Sequence, residues 1–439
     1  MIQAVRDALR LPDLRRRLFY TLLILVIFRA ASHVPVPGID REALRSLTGG
    51  AAQLVNILDL LSGGAVAEYS VLANGVYPYI TASIIIQLLV PVIPALKRLA
   101  EEEGGAGRRK LNQWTYYLTI PLGMLQAWGQ AQLFNAMAAR PVLPNFGFHQ
   151  PEFVLPTISV LIAMTAGTMF AIWLGTLISE QGIGNGISLI IFGGIVARTP
   201  ANVARIYTTD GFLGLLFFMA VTALVIFVIV YVHEGERRIP VQYGKRVRGR
   251  RMYGGGSTYI PLRVNMAGMI PLIFAQSILA FPAVIAQFFA NSSNVNVARA
   301  AVDIMNFFSG HTVERYTTLF YAILYFAAVV GFTYFYTFVL VEQQNLPENL
   351  QKYGGFIPGI RPGKQTAEYI NGIYKRITLF GALFLGGVAV LPFIIQLLLE
   401  TQVLLITSAG LLIVVGVVVD TMRQLEAQLL MRHYEGFIR

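Results

Sequence analysis

The sequence predicts an all-α polytopic membrane protein with ten transmembrane helices. Of its 439 residues, 55% are hydrophobic and only 13% are charged, and the mean hydropathy is +0.61. A soluble protein carries about 25% charged residues. Ten apolar segments are each long enough to cross the hydrocarbon core of a bilayer, which is about 30 Å thick.

The ten segments follow one another along the whole chain. The first has no small-residue cleavage pattern after it, so we interpret it as a span and not as a cleaved signal. The last two lie so close together, around Glu400 and Thr401, that we expect a tight antiparallel pair. The predicted spans are 18–35, 74–96, 114–136, 154–177, 185–205, 212–232, 265–289, 316–341, 378–399 and 402–420.

The distribution of positive charge predicts the orientation. An even number of spans leaves both termini on one side, and the loops and tails of that side hold 26 of the 34 Arg and Lys residues. The loops of the opposite side hold 7, and Arg29 lies within the first span. Cytoplasmic loops carry the excess of Arg and Lys, so we expect both termini in the cytoplasm.

Residues 57–64 form a weakly apolar segment that is too short to span a bilayer and too rich in glycine to be a stable helix alone. The helix that follows it carries Thr81, Ser83 and Gln87, which a purely lipid-facing helix does not need. Irregular backbone at membrane depth is tolerated only against protein or water, so this arrangement favours a cavity. An ordinary loop leading into an ordinary bundle helix is the alternative.

Two predicted cytoplasmic loops, 234–263 and 342–376, are unusually basic. The first holds eight Arg and Lys residues, with tyrosines among them. In the second, Gly and Pro shape a turn around Arg361. Such charge suits ribosomal RNA, an acidic protein surface or anionic lipid. Membrane orientation and headgroup binding are the alternative explanation.

A weak internal repeat divides the chain into two halves of five spans, 1–205 and 206–439. Pro78 in the second span and Pro271 in the seventh each follow a glycine, and each span carries an amide, Gln87 or Gln276. Because an odd number of spans reverses the second copy, this spacing fits an inverted repeat. Functional sites in such folds lie between the halves.

The residues for most enzymatic or transport chemistry are missing from the sequence. The chain has no cysteine, and its five histidines form no metal-binding motif. No phosphate-binding loop, paired carboxylates or activated nucleophile is present, so we expect no enzyme and no cofactor. Acidic residues lie only at span ends, which disfavours a proton- or sodium-coupled transporter. A small-solute transporter and a lipid-modifying enzyme remain the competing hypotheses.

Six isoleucines lie well inside predicted spans and are candidates for a hydrophobic constriction. Ile80 and Ile84 share a helical face, as do Ile187 and Ile191. With Ile273 and Ile413 they would make a stiff ring that resists water and ions yet yields to a passing chain. Lipid-facing or core packing is the alternative for each of them.

These residues together resemble the SecY family, the central subunit of the bacterial protein-conducting channel. The resemblance runs from about Leu11 to Gly436. It depends on the sequences VPVPGID (34–40), SGGA (62–65), PYITASIIIQLL (78–89), GIGNGIS (182–188), NMAG (265–268) and IPGIRPG (357–363).

The resemblance implies two halves around a central hourglass pore, closed by a plug and opened sideways by a lateral gate. The plug would be about 56–70, with Leu60, Leu61, Ser62, Gly63, Gly64 and Ala65. The six isoleucines would form the pore ring. Gln87, Gln126, Ser277 and Phe281 would line the gate, although Val90 stands where the family often has a hydroxyl residue.

The resemblance also implies partners and a location, the bacterial cell (inner) membrane. These would be the SecE and SecG subunits, the SecA ATPase, the ribosome, polypeptides that carry a signal sequence, and anionic lipids. The docking residues for SecA or the ribosome would be Arg238, Lys245, Arg246, Arg248, Arg250, Arg251 and Arg361.

Overall fold

The molecule is mostly helical. A computed structural model describes residues 10–45, 65–66, 68–101, 104–138, 140–148, 150–243, 246–248, 251–253, 257–287, 289, 294–308, 315–344, 346–352, 354–399 and 408–435. The helices are α1 (Pro12–Ala31), α2 (Arg41–Arg45), α3 (Tyr77–Val92), α4 (Pro94–Glu101), α5 (Gly104–Met137), α6 (Pro151–Gln181), α7 (Gly186–Thr208), α8 (Gly211–Glu234), α9 (Ile270–Gln287), α10 (Val295–Phe308), α11 (Arg315–Gln344), α12 (Leu346–Lys352), α13 (Lys364–Leu399) and α14 (Ser408–Glu435).

Every predicted span overlaps one of these helices. Among the described residues, five stretches are long and apolar enough to cross a bilayer: Pro151–Gln181, Gly186–Thr208, Gly211–Glu234, Tyr316–Lys352 and Lys364–Ile395. Helix α3 and the first part of α9 are shorter apolar helices. Residues 402–407 of the last predicted span lie outside the described residues.

Gly211 separates α7 from α8. Its backbone has φ +69° and ψ −166°, a conformation that residues with a Cβ avoid. The break therefore stands where the sequence predicts the end of the fifth span and the start of the sixth. It is also close to the predicted boundary between the two halves.

The segment from Ala65 to Val76 is packed into the N-terminal half as an anchor for α3. Its described hydrophobic side chains are buried, apart from a partly buried Val71, against α5, α6 and the 34–36 strand-like segment. The amide of Val36 donates to the carbonyl of Tyr69, and the amide of Val71 donates to the carbonyl of Val34. We call residues 65–76 the anchor segment.

The two basic loops meet in one small sheet, which departs from the all-helical prediction. Strand β1 (Glu236–Tyr243) pairs antiparallel with β4 (Ser257–Arg263) on one side and with β5 (Gly355–Phe356) on the other. Between β1 and β4, β2 (Arg246–Arg248) and β3 (Arg251–Tyr253) form a separate hairpin. The sheet packs on α12 and α13 through Ile239, Val241, Leu350, Ile357 and Ile370.

The predicted halves contact each other through a few helices. Helix α9 of the C-terminal half packs against α3 and α5 of the N-terminal half. The largest buried cluster contains residues from both halves, among them Leu72, Ile191, Leu272 and Ile413. The contact between α3 and α9 is where the candidate site lies.

Candidate functional site

Four of the six predicted pore isoleucines line one cavity between the halves. Ile80 is on α3, Ile191 on α7, Ile273 on α9 and Ile413 on α14. The cavity measures about 20 Å³, which holds about one water molecule. The cavity is therefore far too small to hold a polypeptide.

Ile84 and Ile187 do not line this cavity. Ile84 is buried one helical turn beyond Ile80 on α3. Ile187 is partly buried, and it contacts α6, where a Cβ at Gly175 would meet its side chain at 3.1 Å. Each lies one turn, about 5.4 Å, from the cavity residue of its own helix. Their membership of a pore ring stays a prediction.

A hydrogen bond crosses from α3 to α9 beside the isoleucines. The Tyr77 hydroxyl donates to the backbone carbonyl oxygen of Ser277 at 2.7 Å. Both residues also line the cavity, together with Gln276. Ser277 is one of the predicted gate residues, whereas Tyr77 is not. The only signal for Tyr77 was its place directly before the Pro78 motif.

The other predicted gate residues do not bridge the two helices. The Gln87 amide nitrogen donates to the Ser83 hydroxyl at 3.0 Å, one turn back on the same helix. Gln126 is half-buried on α5, and Phe281 is exposed on α9. These positions lie on the helices α3, α5 and α9 that meet between the halves, and their role in a gate stays a prediction.

The predicted plug falls largely outside the described residues. Leu60, Leu61, Ser62, Gly63 and Gly64 are not described. Ala65 is described and fully buried, and it belongs to the anchor segment. Its neighbours up to Ser70 are held by backbone hydrogen bonds and by the ring of Tyr69, which packs edge-on against Phe134 at 4.8 Å. This part of the predicted range is firmly packed.

The anchor segment lies directly against α6 and is hydrogen-bonded to α5. The backbone carbonyl of Val71 lies directly against Gly167 of α6, where a Cβ would collide with it. The Asn74 side-chain amide donates to the Gly123 carbonyl of α5 at 3.1 Å. The start of α3, and with it Tyr77, is thereby fixed to the N-terminal half.

Among the predicted docking residues, Arg361 lies in a tight turn between two glycines. The turn around it places Gly359 at φ +82° and Gly363 at φ +104°. The Thr366 hydroxyl donates to the Arg361 carbonyl at 2.9 Å. The Arg361 side chain is exposed, so the turn presents it to the solvent.

The other docking residues that the structure describes lie on β1, β2 and β3. Arg238 donates to Glu236 at 2.6 Å, which raises the pKa of its guanidinium, and it stacks over Tyr259 at 4.8 Å. Backbone pairing joins Arg248 to Arg251 and Arg246 to Tyr253, which concentrates positive charge on one hairpin. Lys245 and Arg250 lie outside the described residues.

A polar junction that the sequence analysis missed joins α8, α14 and the turn before α9. His233 is buried, with one ring nitrogen 3.5 Å from Asp420 and the other 3.4 Å from the Asn265 amide. The Asn265 amide also donates to the Gly268 carbonyl. Arg423 donates to the His233 carbonyl at 2.8 Å and pairs with Glu234 at 3.2 Å. Sequence spacing does not reveal it, because its members are up to 190 residues apart.

The comparisons with known proteins agree on one family. The family model described as SecY matches residues 70–422. The chain is 41% identical over 449 residues to the protein translocase subunit SecY of Thermotoga maritima, covering 100% of this chain and 98% of that one. It is 44% identical over 456 residues to the protein translocase subunit SecY of Halalkalibacterium halodurans, covering 100% of both.

Two solved structures share the fold. One is described as the structure of a protein-conducting channel; it has a TM-score of 0.60 and 18% identity, and the match covers 94% of this chain and 91% of that one. The other is Sec61 in the canine ribosome-channel complex from the endoplasmic reticulum, with a TM-score of 0.60, 19% identity and the same coverage. At such low identity these two matches establish the fold alone.

Proposed function

The chain belongs to the SecY family, and we propose that polypeptides cross it at the isoleucine-lined cavity between its halves. It is a protein-conducting translocation channel of the membrane and not an enzyme. Apolar signal and membrane segments leave sideways, between α3 and α5 of one half and α9 of the other.

One observation carries this proposal. The four cavity isoleucines come from four helices, two in each predicted half, and the cavity between them holds about one water. A seam between two halves can widen when the halves separate, whereas a cavity inside one rigid bundle cannot. Stiff apolar side chains at the narrowest point exclude hydrated ions while the seam is closed.

A seam with a side exit suits both parts of a secretory polypeptide. The translocated part is polar and needs an aqueous path. A signal segment is apolar and gains about 0.8 kcal/mol for each CH₂ group that it buries in lipid. Helix α9 contacts both α3 and α5 across the two predicted halves, which supports an exit between these helices.

We propose that Ile84 and Ile187 form a second apolar layer below the cavity. In the predicted topology α3 runs inward and α7 runs outward. Ile84 follows Ile80 and Ile187 precedes Ile191 by one turn each, so both lie on the cytoplasmic side of the cavity. A chain that enters from the cytoplasm would meet this layer first.

We also propose that both termini and both basic loops face the cytoplasm. There the β2–β3 hairpin and the Arg361 turn would dock the ribosome or the SecA motor, and the SecE and SecG subunits and anionic lipids would surround the helices. The similarity to canine Sec61, whose structure is described in a ribosome complex, supports the ribosome as a partner. The charge of the hairpin suits ribosomal RNA.

A crosslink tests the path of the polypeptide directly. Because the chain has no cysteine, a single cysteine can replace Ile191 without background. A second cysteine is placed in a secretory polypeptide stalled during translocation. We expect a disulfide that forms only with the stalled chain. Strong crosslinks from the lipid-facing control Phe227, and none from residue 191, would mean that the polypeptide passes elsewhere.

A further inference from the structure

The hydroxyl of Tyr77 is positioned by one half of the molecule and bound by the other. Tyr77 is the first residue of α3, and the anchor segment directly before it is packed on α5 and α6 of the N-terminal half. Its bond partner, the Ser277 carbonyl, belongs to α9 of the C-terminal half. Motion of α9 away from α3 must therefore break this bond.

The bond from Tyr77 does not replace a hydrogen bond within α9. A backbone carbonyl oxygen has two lone pairs, so Ser277 can accept from Tyr77 and still serve the hydrogen bonding of its own helix. The bond is partly buried beside the cavity, where a hydrogen bond is stronger than in water. When the seam opens, the Tyr77 hydroxyl and the Ser277 carbonyl form hydrogen bonds with water instead. Breaking the bond therefore costs little free energy, and the bond can form again.

We infer that Tyr77 is a clasp that holds the seam between α3 and α9 closed and sets how apolar a segment must be to open it. This inference rests on the proposed function, in which apolar segments leave through that seam. An apolar segment opens the seam when its gain in lipid exceeds the cost of separating the halves. One neutral hydrogen bond contributes about as much free energy as the burial of one CH₂ group. The clasp therefore raises the apolarity that a segment needs by about one methylene group.

The matched substitutions are Tyr77→Phe and Tyr79→Phe. Tyr77→Phe removes the bridging hydroxyl and keeps the ring against the cavity. Tyr79 lies two residues further on α3, and its ring faces Tyr116 of α5 at 5.7 Å, within the same half. Loss of its hydroxyl leaves the contact between the halves unchanged, so Tyr79→Phe controls for a changed aromatic residue at the start of α3.

Gate opening is measured by the distance between two spin labels. Cysteines replace Leu89 on α3 and Ile278 on α9, both exposed positions, in the full-length chain with its copurifying subunits in phospholipid vesicles. We expect Tyr77→Phe to raise the population of the longer distance about fivefold, as loss of one hydrogen bond predicts. We expect the wild type and Tyr79→Phe to give the same distribution.

Export of reporters with graded signal segments measures the threshold. The signal is weakened by about one methylene at a time, through single Ile→Val substitutions. With Tyr77→Phe, signals too weak for the wild type should be exported, while Tyr79→Phe should keep the wild-type threshold. An unchanged distance distribution for Tyr77→Phe, or an equal shift for Tyr79→Phe, overturns the clasp.

The two measurements separate the clasp from the proposed function. If the wild type exports no reporter, the proposed function fails, and the spin-label distances still decide whether Tyr77 holds the seam. If the wild type exports normally and neither readout responds to Tyr77→Phe, only the clasp fails.

Discussion

The backbone carbonyl of Val71 rests directly on Gly167, and no side chain at residue 167 would fit beneath it. This contact joins the anchor segment to α6. Through the anchor segment it fixes the first turn of α3, which carries both the clasp Tyr77 and the cavity residue Ile80. Gly167 is far from Tyr77 and Ile80 in the sequence, yet it helps to position both of these cavity-lining residues.

Gly167→Ala should destabilise the protein. The added methyl group forces the Val71 backbone away, and such overpacking costs about 1–3 kcal/mol. Thermal unfolding of the purified protein in detergent should show a lower midpoint. Gly331→Ala is the control, since a Cβ there meets no atom within 4 Å, and alanine favours the helix. An equal loss of stability in both variants would contradict the assigned role of Gly167.

Ile191→Ser should raise the ion leak of the resting channel several-fold. The substitution removes one apolar wall of a cavity that holds about one water, and a hydroxyl there favours hydration of the constriction. Ile187→Ser, one turn away and in contact with α6, should raise the leak less. The measurement is conductance across planar bilayers without substrate. Equal leaks from both variants would show that the cavity is not the ion barrier.

Arg361→Glu should abolish partner-driven translocation and leave the chain folded. Its side chain is exposed on a turn whose backbone is fixed by Gly359, Gly363 and the Thr366 hydroxyl, so reversal of its charge disturbs docking and not folding. Lys364→Glu is the control in the same loop, because an acidic residue in the first turn of α13 is favourable there. Translocation into vesicles measures the effect, and normal transport by Arg361→Glu would exclude a docking role.

Arg423→Ala should destabilise the polar junction by about 1.5–3 kcal/mol, the cost of losing a charged donor to a buried carbonyl. The Arg423 guanidinium binds the His233 carbonyl at 2.8 Å and also pairs with Glu234. Glu234→Gln tests the ion pair alone. Since Glu234 is half-exposed, its loss should cost at most about 1 kcal/mol. The midpoint of thermal unfolding is measured for both variants. Equal shifts would mean that the stability lost in Arg423→Ala comes from the ion pair.

The helices were predictable from the sequence because a long apolar run is by itself enough to specify a span. The strands were not, since β5 has only two residues and its pairing with β1 joins residues more than 100 positions apart. The same holds for Tyr77 and Ser277, which are 200 residues apart. Their contact depends on how the halves pack, and local patterns carry no record of that.

The isoleucines show where local pattern stops being informative. Periodicity groups Ile80 with Ile84 and Ile187 with Ile191, because residues four apart share a helical face. It cannot say which turn of each helix reaches the cavity. The structure selects Ile80 and Ile191, and it turns Ile187 toward Gly175. The polar junction was missed for a related reason, since its members were visible only as isolated polar residues at span ends.

The pairing of β1 with β5 has a mechanical consequence. Strand β1 continues from α8, β4 leads toward α9, and β5 lies between α12 and α13. Hydrogen bonds across three strands resist sliding, so the two loops cannot be pulled independently. A force applied to the Arg361 turn is therefore shared with β1, and through β4 it reaches the start of α9. Helix α9 packs against α3 and α5, so the sheet connects this turn mechanically to the contact between the predicted halves.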